Sequence, residues 1–118
     1  MYKYVIIDDE LLTRKGTIEK LAPVANILQC TGEAEDGEQG LQLIEAVHPD
    51  LVITDMKMPV MGGLEATREI RKFDTETPII AVTANAFEFD REEAMRAGCN
   101  TFITKPLNKK ELKEVLGD

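Results

Sequence analysis

Pro49-Asp50-Leu51-Val52-Ile53-Thr54-Asp55 is the stretch on which the reading of this chain turns. Leu51 to Thr54 form a short, mostly apolar run that stops at a bare carboxylate, Asp55. Such a run reads as a strand covered on both faces. Pro49 stands just before it, where a missing N–H is tolerated. The earlier run Tyr4-Val5-Ile6-Ile7 ends in the same way, on Asp8-Asp9-Glu10. Strands that stop at acids place those acids at the end of a sheet, where open α/β folds bind ligands. Carboxylates converging on one crevice repel and resist joint ionisation unless a cation lies among them. The pattern points to a divalent-metal site with a reactive aspartate.

Working outward, β-rich runs alternate with segments of helical period along the whole chain, which is the mark of βαβ units. Strands are expected near 3–7, 26–31, 50–54, 78–82 and 100–104. Helices are expected near 11–22, 37–47, 63–72, 86–97 and 109–116. In the second helix Gly40, Leu43, Ile44 and Val47 follow the i, i+3, i+4, i+7 stripe. The fourth stops at Gly98, a C′ residue. The last opens with Asn108 as cap, Glu111 at N3 and a Leu107–Leu112 staple. With no linker, repeat or low-complexity tract, residues 1–118 read as one α/β domain, a parallel sheet in a three-layer sandwich.

Composition narrows the function. The chain has 118 residues, 43% hydrophobic and 31% charged, with 14 basic against 22 acidic residues and a net charge of −8. That length buries roughly two thirds of the unfolded surface. The acidic balance argues against direct nucleic-acid binding and against docking on anionic membranes. No apolar run reaches transmembrane length and no signal peptide precedes Met1-Tyr2-Lys3, so a cytoplasmic protein is expected. Cys30 and Cys99 lie in no CxxC or Cys/His cluster and read as small buried apolar residues.

In a parallel sheet all strand C-termini lie on one edge. That edge collects Asp8, Asp9, Asp55, Thr83 and Lys105. Two or three carboxylates suit Mg²⁺, or Mn²⁺ in its place, since Mg²⁺ prefers octahedral oxygen ligands and keeps several waters. Asp55 is the candidate nucleophile, because a carboxylate forms an aspartyl phosphate once the incoming oxygens are neutralised. Lys105 is a point cation for a phosphoryl oxygen. Thr83 offers a hydroxyl to another, and the small Ala84 keeps the approach open.

These residues carry a resemblance over the full length. Val5-Ile6-Ile7-Asp8-Asp9-Glu10, Pro49 through Pro59, Met61-Gly62-Gly63, Pro78 through Ala84, Ala97-Gly98-Cys99 and Lys105-Pro106, in this order, resemble the response-regulator receiver domains of two-component signalling, the CheY-like superfamily. The resemblance implies a flavodoxin-like sheet of order 2-1-3-4-5 with five helices. It implies that Asp55 accepts a phosphoryl group from a phosphohistidine on a histidine kinase or phosphotransfer protein. Mg²⁺ would be held by Asp9, Asp55 and the Lys57 backbone carbonyl, with Asp8 acting through water. Thr83 and Phe102 would be the switch pair, and the Lys105-Pro106 bond cis. Such a domain is no ordinary enzyme: it catalyses only its own phosphorylation and dephosphorylation. Its output surface would be the fourth helix, fifth strand and fifth helix, meeting an output domain, a target protein or, on phosphorylation, a second copy. In this family the places of Lys57 and Asn85 tune how fast water removes the phosphoryl group.

Other features read more plainly. His48, before Pro49, falls at the opposite end of the third strand from Asp55 and reads as a surface turn residue. Met56, Met58 and Met61 read as adaptable loop packing or a contact surface for a partner. Phe87 and Phe89 flank the start of the fourth helix, one turned inward and the other an exposed anchor. A dinucleotide-binding module would carry a glycine-rich turn where Asp8-Asp9-Glu10 stands. An aspartyl-phosphate phosphatase would carry a second aspartate where Lys57 stands. A pseudo-receiver would lack the acidic pair, Asp55 or Lys105. Because the chain ends at Asp118 without an output domain, three contexts stay open: a stand-alone receiver, the amino-terminal part of a transcriptional regulator, and the receiver segment of a hybrid histidine kinase. A docking module independent of phosphorylation is the alternative in another class.

Overall fold

Five parallel strands form one sheet in the computed structural model, which describes residues 2–56, 61–83 and 88–104, the side chains of 88–90 excepted. They are β1 (Tyr2–Ile7), β2 (Leu28–Ala34), β3 (Leu51–Asp55), β4 (Ile79–Thr83) and β5 (Thr101–Thr104). Their order is β2-β1-β3-β4-β5, the flavodoxin-like order expected. The helices between them are α1 (Leu11–Leu21), α2 (Gly37–Val47), α3 (Gly63–Arg71) and α4 (Glu88–Ala97). The fifth helix expected near 109–116, with its Asn108 cap, Glu111 and Leu107–Leu112 staple, lies outside the described residues.

Alternation along each strand builds two cores. Tyr4, Ile6, Leu51, Ile53, Ile80, Val82 and Ile103 pack on one face with Leu21 and Ile18 of α1. Val5, Ile7, Val52, Ile79 and Ala81 pack on the other with Ile44 of α2, Ile70 of α3 and Ala94 of α4. β3 and β4 are buried throughout, which explains why their sequences are unbroken apolar runs rather than alternating ones.

Two elements depart from the expected bounds. A 3₁₀ turn at Ala22–Val24 follows α1, with Pro23 fixing its start. β2 runs from Leu28 to Ala34 rather than near 26–31. Its pairing with β1 shifts by one residue, Tyr4 facing Cys30 but Val5 facing Gly32, so Thr31 is an extra residue in the strand. The Thr31 hydroxyl donates to the Tyr4 carbonyl at 3.3 Å. The bulge accommodates Gly32 and Glu33 within the strand.

Helix ends follow local chemistry. Asp36 caps α2, its side chain accepting from the Gln39 N–H at 2.8 Å, while Gln39 Oε1 accepts from the Glu35 N–H at 3.3 Å. α2 closes on His48, which adopts a left-handed conformation (φ 47°) and donates its N–H to Ile44. This residue is an exposed cap rather than a site group, as its position implies. α4 gives way to Gly98 at φ +117°, a conformation that costs glycine little. Arg71, at the end of α3, donates to the Gly98 carbonyl from Nε (2.9 Å) and Nη2 (2.8 Å), and from Nη2 to Asn100 Oδ1 (2.8 Å). Asn100 Oδ1 in turn accepts from the Ile79 N–H at 2.9 Å.

Replacing Asp36 by alanine removes the α2 cap and is expected to cost about 1 kcal/mol. For a domain of this size that lowers the melting temperature by about 4 °C with the far-UV spectrum unchanged. A thermal melt that does not move would show that the cap contributes nothing here.

Candidate functional site

Asp55 is the last residue of β3 and is 7% exposed. The sheet fixes its height: Asp55 is in register with Val82 of β4, and the Met56 N–H donates to the Val82 carbonyl at 3.0 Å. Thr54 Oγ1 donates to the Asp55 carbonyl at 3.1 Å. From the other side Gly63, the first residue of α3, approaches so closely that a Cβ there would collide with the Asp55 carbonyl oxygen. Gly63 is thus required for packing and not for its torsions.

Asp8 follows β1 directly and is 4% exposed. Its N–H donates to the Ala34 carbonyl at 3.0 Å, and its Oδ1 accepts from the Glu10 N–H at 2.9 Å. Asp9 is exposed. Asp8, Asp9 and Asp55 each present a carboxylate oxygen, and these three atoms lie within 4.8 Å of one another. The acids expected from two separate strand ends are therefore brought together. Two unit charges at about 5 Å repel by roughly 3 kcal/mol at an effective dielectric near 20. A hard divalent cation with oxygen ligands is the natural counter-charge, so the donor set fits Mg²⁺.

Thr83 ends β4 on the same edge and is buried. Phe102 of β5 is in register with Ala81, which puts it two positions behind Thr83 on the same sheet face. Its ring is half-buried against the core shared with α2, α3 and α4, and the Arg91 guanidinium stands 6.0 Å from the ring centroid. Lys57, Ala84, Asn85 and Lys105 lie outside the described residues, as do the Lys105-Pro106 bond, Met58, Phe87 and the Phe89 side chain. Of the loop methionines, Met56 is buried in the core, while Met61 is half-buried and its carbonyl accepts the Gly37 N–H at 2.8 Å.

The cysteines are no part of the site. Burial pushes both thiols above the ordinary cysteine range, with Thr67 and Arg71 opposing it at Cys99. Neither joins a metal-holding group among the described residues. Sequence reasoning missed Arg14, which is 6% exposed and donates from Nη1 to the Asp8 carbonyl at 2.5 Å. The apolar residues of α1 pointed elsewhere in the sequence: Leu11 and Leu12 face solvent, and the inward stripe is Arg14, Thr17, Ile18 and Leu21.

Residues 4–117 match the family model of the response regulator receiver domain. The chain belongs to that family. This receiver domain is 34% identical to response regulator GacA of Pseudomonas aeruginosa, covering 98% of the chain and 54% of GacA. It is 36% identical to hybrid signal transduction histidine kinase G of Dictyostelium discoideum, over 97% of the chain and 3% of the kinase. The chain thus spans about half of one relative and a small part of the other. Among solved structures it is similar to CheY of Borrelia burgdorferi in complex with CheX, BeF₃ and Mg²⁺, with a TM-score of 0.89 and 27% identity, covering 98% of this chain and 87% of that one. Receiver domains are signalling domains of two-component systems and bind Mg²⁺ in an acidic pocket; here the Asp8-Asp9-Asp55 group is the set able to do so. Among the described residues no helix is long and apolar enough to cross a membrane.

Mg²⁺ is expected to raise the melting temperature by relieving repulsion among these acids. At tenfold excess over Kd the stabilisation is about 1.4 kcal/mol. Asp55→Asn should raise metal-free stability and shrink that response. Equal melting in Mg²⁺ and in EDTA, at matched ionic strength, would sink the metal reading.

Proposed function

We propose that this receiver accepts a phosphoryl group on Asp55 from a phosphohistidine of a cytoplasmic histidine kinase or phosphotransfer protein. The observation that carries the reading is the gathering of Asp8, Asp9 and Asp55 within 4.8 Å at the C-terminal edge of a buried sheet, with Asp55 only 7% exposed. A carboxylate oxygen of Asp55 attacks phosphorus, the P–N bond breaks, and the electron pair leaves with the imidazole ring. Asp9, Asp55 and the Lys57 carbonyl would hold Mg²⁺, with Asp8 acting through water. Bound Mg²⁺ supplies positive charge at the transferring oxygens. Lys105 and the Thr83 hydroxyl take the other phosphoryl oxygens, and Ala84 leaves them room. Lys57 and Asn85 set the access of water to the acyl phosphate, and so its lifetime.

The phosphoryl group adds close to two negative charges and strong acceptors. Thr83 turns toward them and vacates space into which the Phe102 ring rotates, reshaping the surface of the fourth helix, β5 and the fifth helix. A change from mostly off to mostly on needs roughly 5 kcal/mol of differential interaction. A few hydrogen bonds to a charged group, at about 1.5–3 kcal/mol each, are sufficient. Phe102 has no hydroxyl, so packing alone holds its inward position. That surface is where an output domain, a target or a second copy would dock. The likeness to hybrid kinase G supports a second context, in which the chain is the receiver segment of a hybrid histidine kinase.

Incubation with acetyl phosphate and Mg²⁺ should add one phosphoryl mass in the intact protein and none in Asp55→Asn. If neither acetyl phosphate nor beryllofluoride produces any change, phosphoacceptance is excluded and a phosphorylation-independent docking module replaces it. Lys105→Ala should fold normally yet uncouple phosphorylation from the switch, leaving the Phe102 resonances in place. A normal shift of those resonances in the phosphorylated variant would refute the role given to Lys105.

A further inference from the structure

Arg14 is a permanently charged group sunk beside the acidic crevice, and burying such a group is unfavourable unless it is paired and hydrogen-bonded. Both conditions are met, by one partner just past the end of β1 and another on β2. Nη1 donates to the Asp8 backbone carbonyl at 2.5 Å and Nε donates to Glu33 Oε1 at 3.1 Å. The Asp8 carbonyl belongs to the peptide that joins Asp8 to Asp9, so the guanidinium grips the link between two of the three acids. The carboxylate of Asp8 is held separately, by the Glu10 N–H at 2.9 Å.

The bulge in β2 makes this arrangement possible. With Thr31 as the extra residue, Glu33 is in register with Ile6 and so lies on the α1 face of the sheet. Without it, uninterrupted pairing from Tyr4–Cys30 would set Glu33 opposite Ile7, on the α2 face, where Gly32 now packs against Leu43. The irregularity therefore delivers a carboxylate to Arg14. Glu33 is itself 41% exposed in its side chain and belongs to no metal-holding group among the described residues.

We propose that Arg14 is a positioning residue for the acidic site: it fixes the Asp8–Asp9 peptide so that both carboxylates face Asp55, and Glu33 offsets its charge so that it does not oppose the metal. This rests on the reading of the site as a Mg²⁺ site. The two functions divide between two variants. Arg14→Lys keeps the charge and loses the fork that reaches both partners. Glu33→Gln keeps the shape and leaves the guanidinium charge unbalanced.

The test is Mg²⁺ titration of the full chain by isothermal calorimetry, beside thermal melts of the metal-free proteins. Glu45→Gln, an exposed acid on α2, controls for net charge. Arg14→Lys and Glu33→Gln should each raise the Mg²⁺ Kd about fivefold, with Glu45→Gln within twofold of the parent protein. A structural arginine would lower the melting temperature and leave Kd unchanged, and that result overturns the proposal. If Glu45→Gln weakens Mg²⁺ as much as Glu33→Gln while Arg14→Lys does not, net charge is the cause and the proposal also falls. No Mg²⁺ binding by the parent chain would overturn the metal reading first and the proposal with it.

Discussion

Burial of β3 and β4 on both faces is the constraint from which the rest of the molecule follows. A strand with no solvent on either side can carry polar side chains only where they are hydrogen-bonded, as Thr54 is, or where it ends. Parallel pairing then sends all five C-terminal ends to one edge, so each strand delivers its terminal residue to the same place. Asp55 and Thr83 close their strands there, and Asp8 follows β1 by one residue. Chemistry that is scattered over more than seventy positions in sequence becomes a single crevice through backbone hydrogen bonding alone.

Collecting acids in this way works against stability, and the surrounding structure reflects it. Asp8 and Asp55 are both nearly inaccessible to water, so solvent screens their mutual repulsion poorly. The local backbone is correspondingly well tied. The Asp8 N–H, its carbonyl and its carboxylate each have a partner, and the Asp55 carbonyl sits between Thr54 Oγ1 and the α-carbon of Gly63. Holding like charges in place ahead of their counter-ion is preorganisation, and part of the folding free energy is given up for it.

The alternation of strands and helices, the three-layer sandwich and the acid cluster were legible because each rests on a strong local signal, whereas the strand order came only with the family resemblance. Unbroken apolar runs mark β3 and β4, and an acid at the end of a buried strand has few other places to go. β2 was displaced in the sequence reading for the opposite reason. As an edge strand it has one side free of partners, tolerates Gly32 and Glu33, and contains a bulge that no period-2 pattern anticipates. Arg14 escaped notice because a charged residue in an amphipathic helix is assigned to solvent by default, whereas here Leu11 and Leu12 take the outer face. Its burial depends on two partners, Asp8 and Glu33, that lie 6 and 19 residues away. Only tertiary structure brings them within reach.

The Arg71 cluster lies at the other end of the sheet and bears on motion. It joins the end of α3, the turn after α4 and the start of β4 through Gly98, Asn100 and Ile79. Ala94 and Ala97 of α4 are buried near it, while Arg91, Glu92, Met95 and Arg96 on the outer face of the helix are exposed. The turn that follows α4 is thus tied to α3 and β4, and the ten residues of the helix span about 15 Å. A tilt about Gly98 is the one that would leave this anchorage intact. A tilt of about 10° would carry the first turn some 2.5 Å while leaving the core beside Ala97 almost undisturbed.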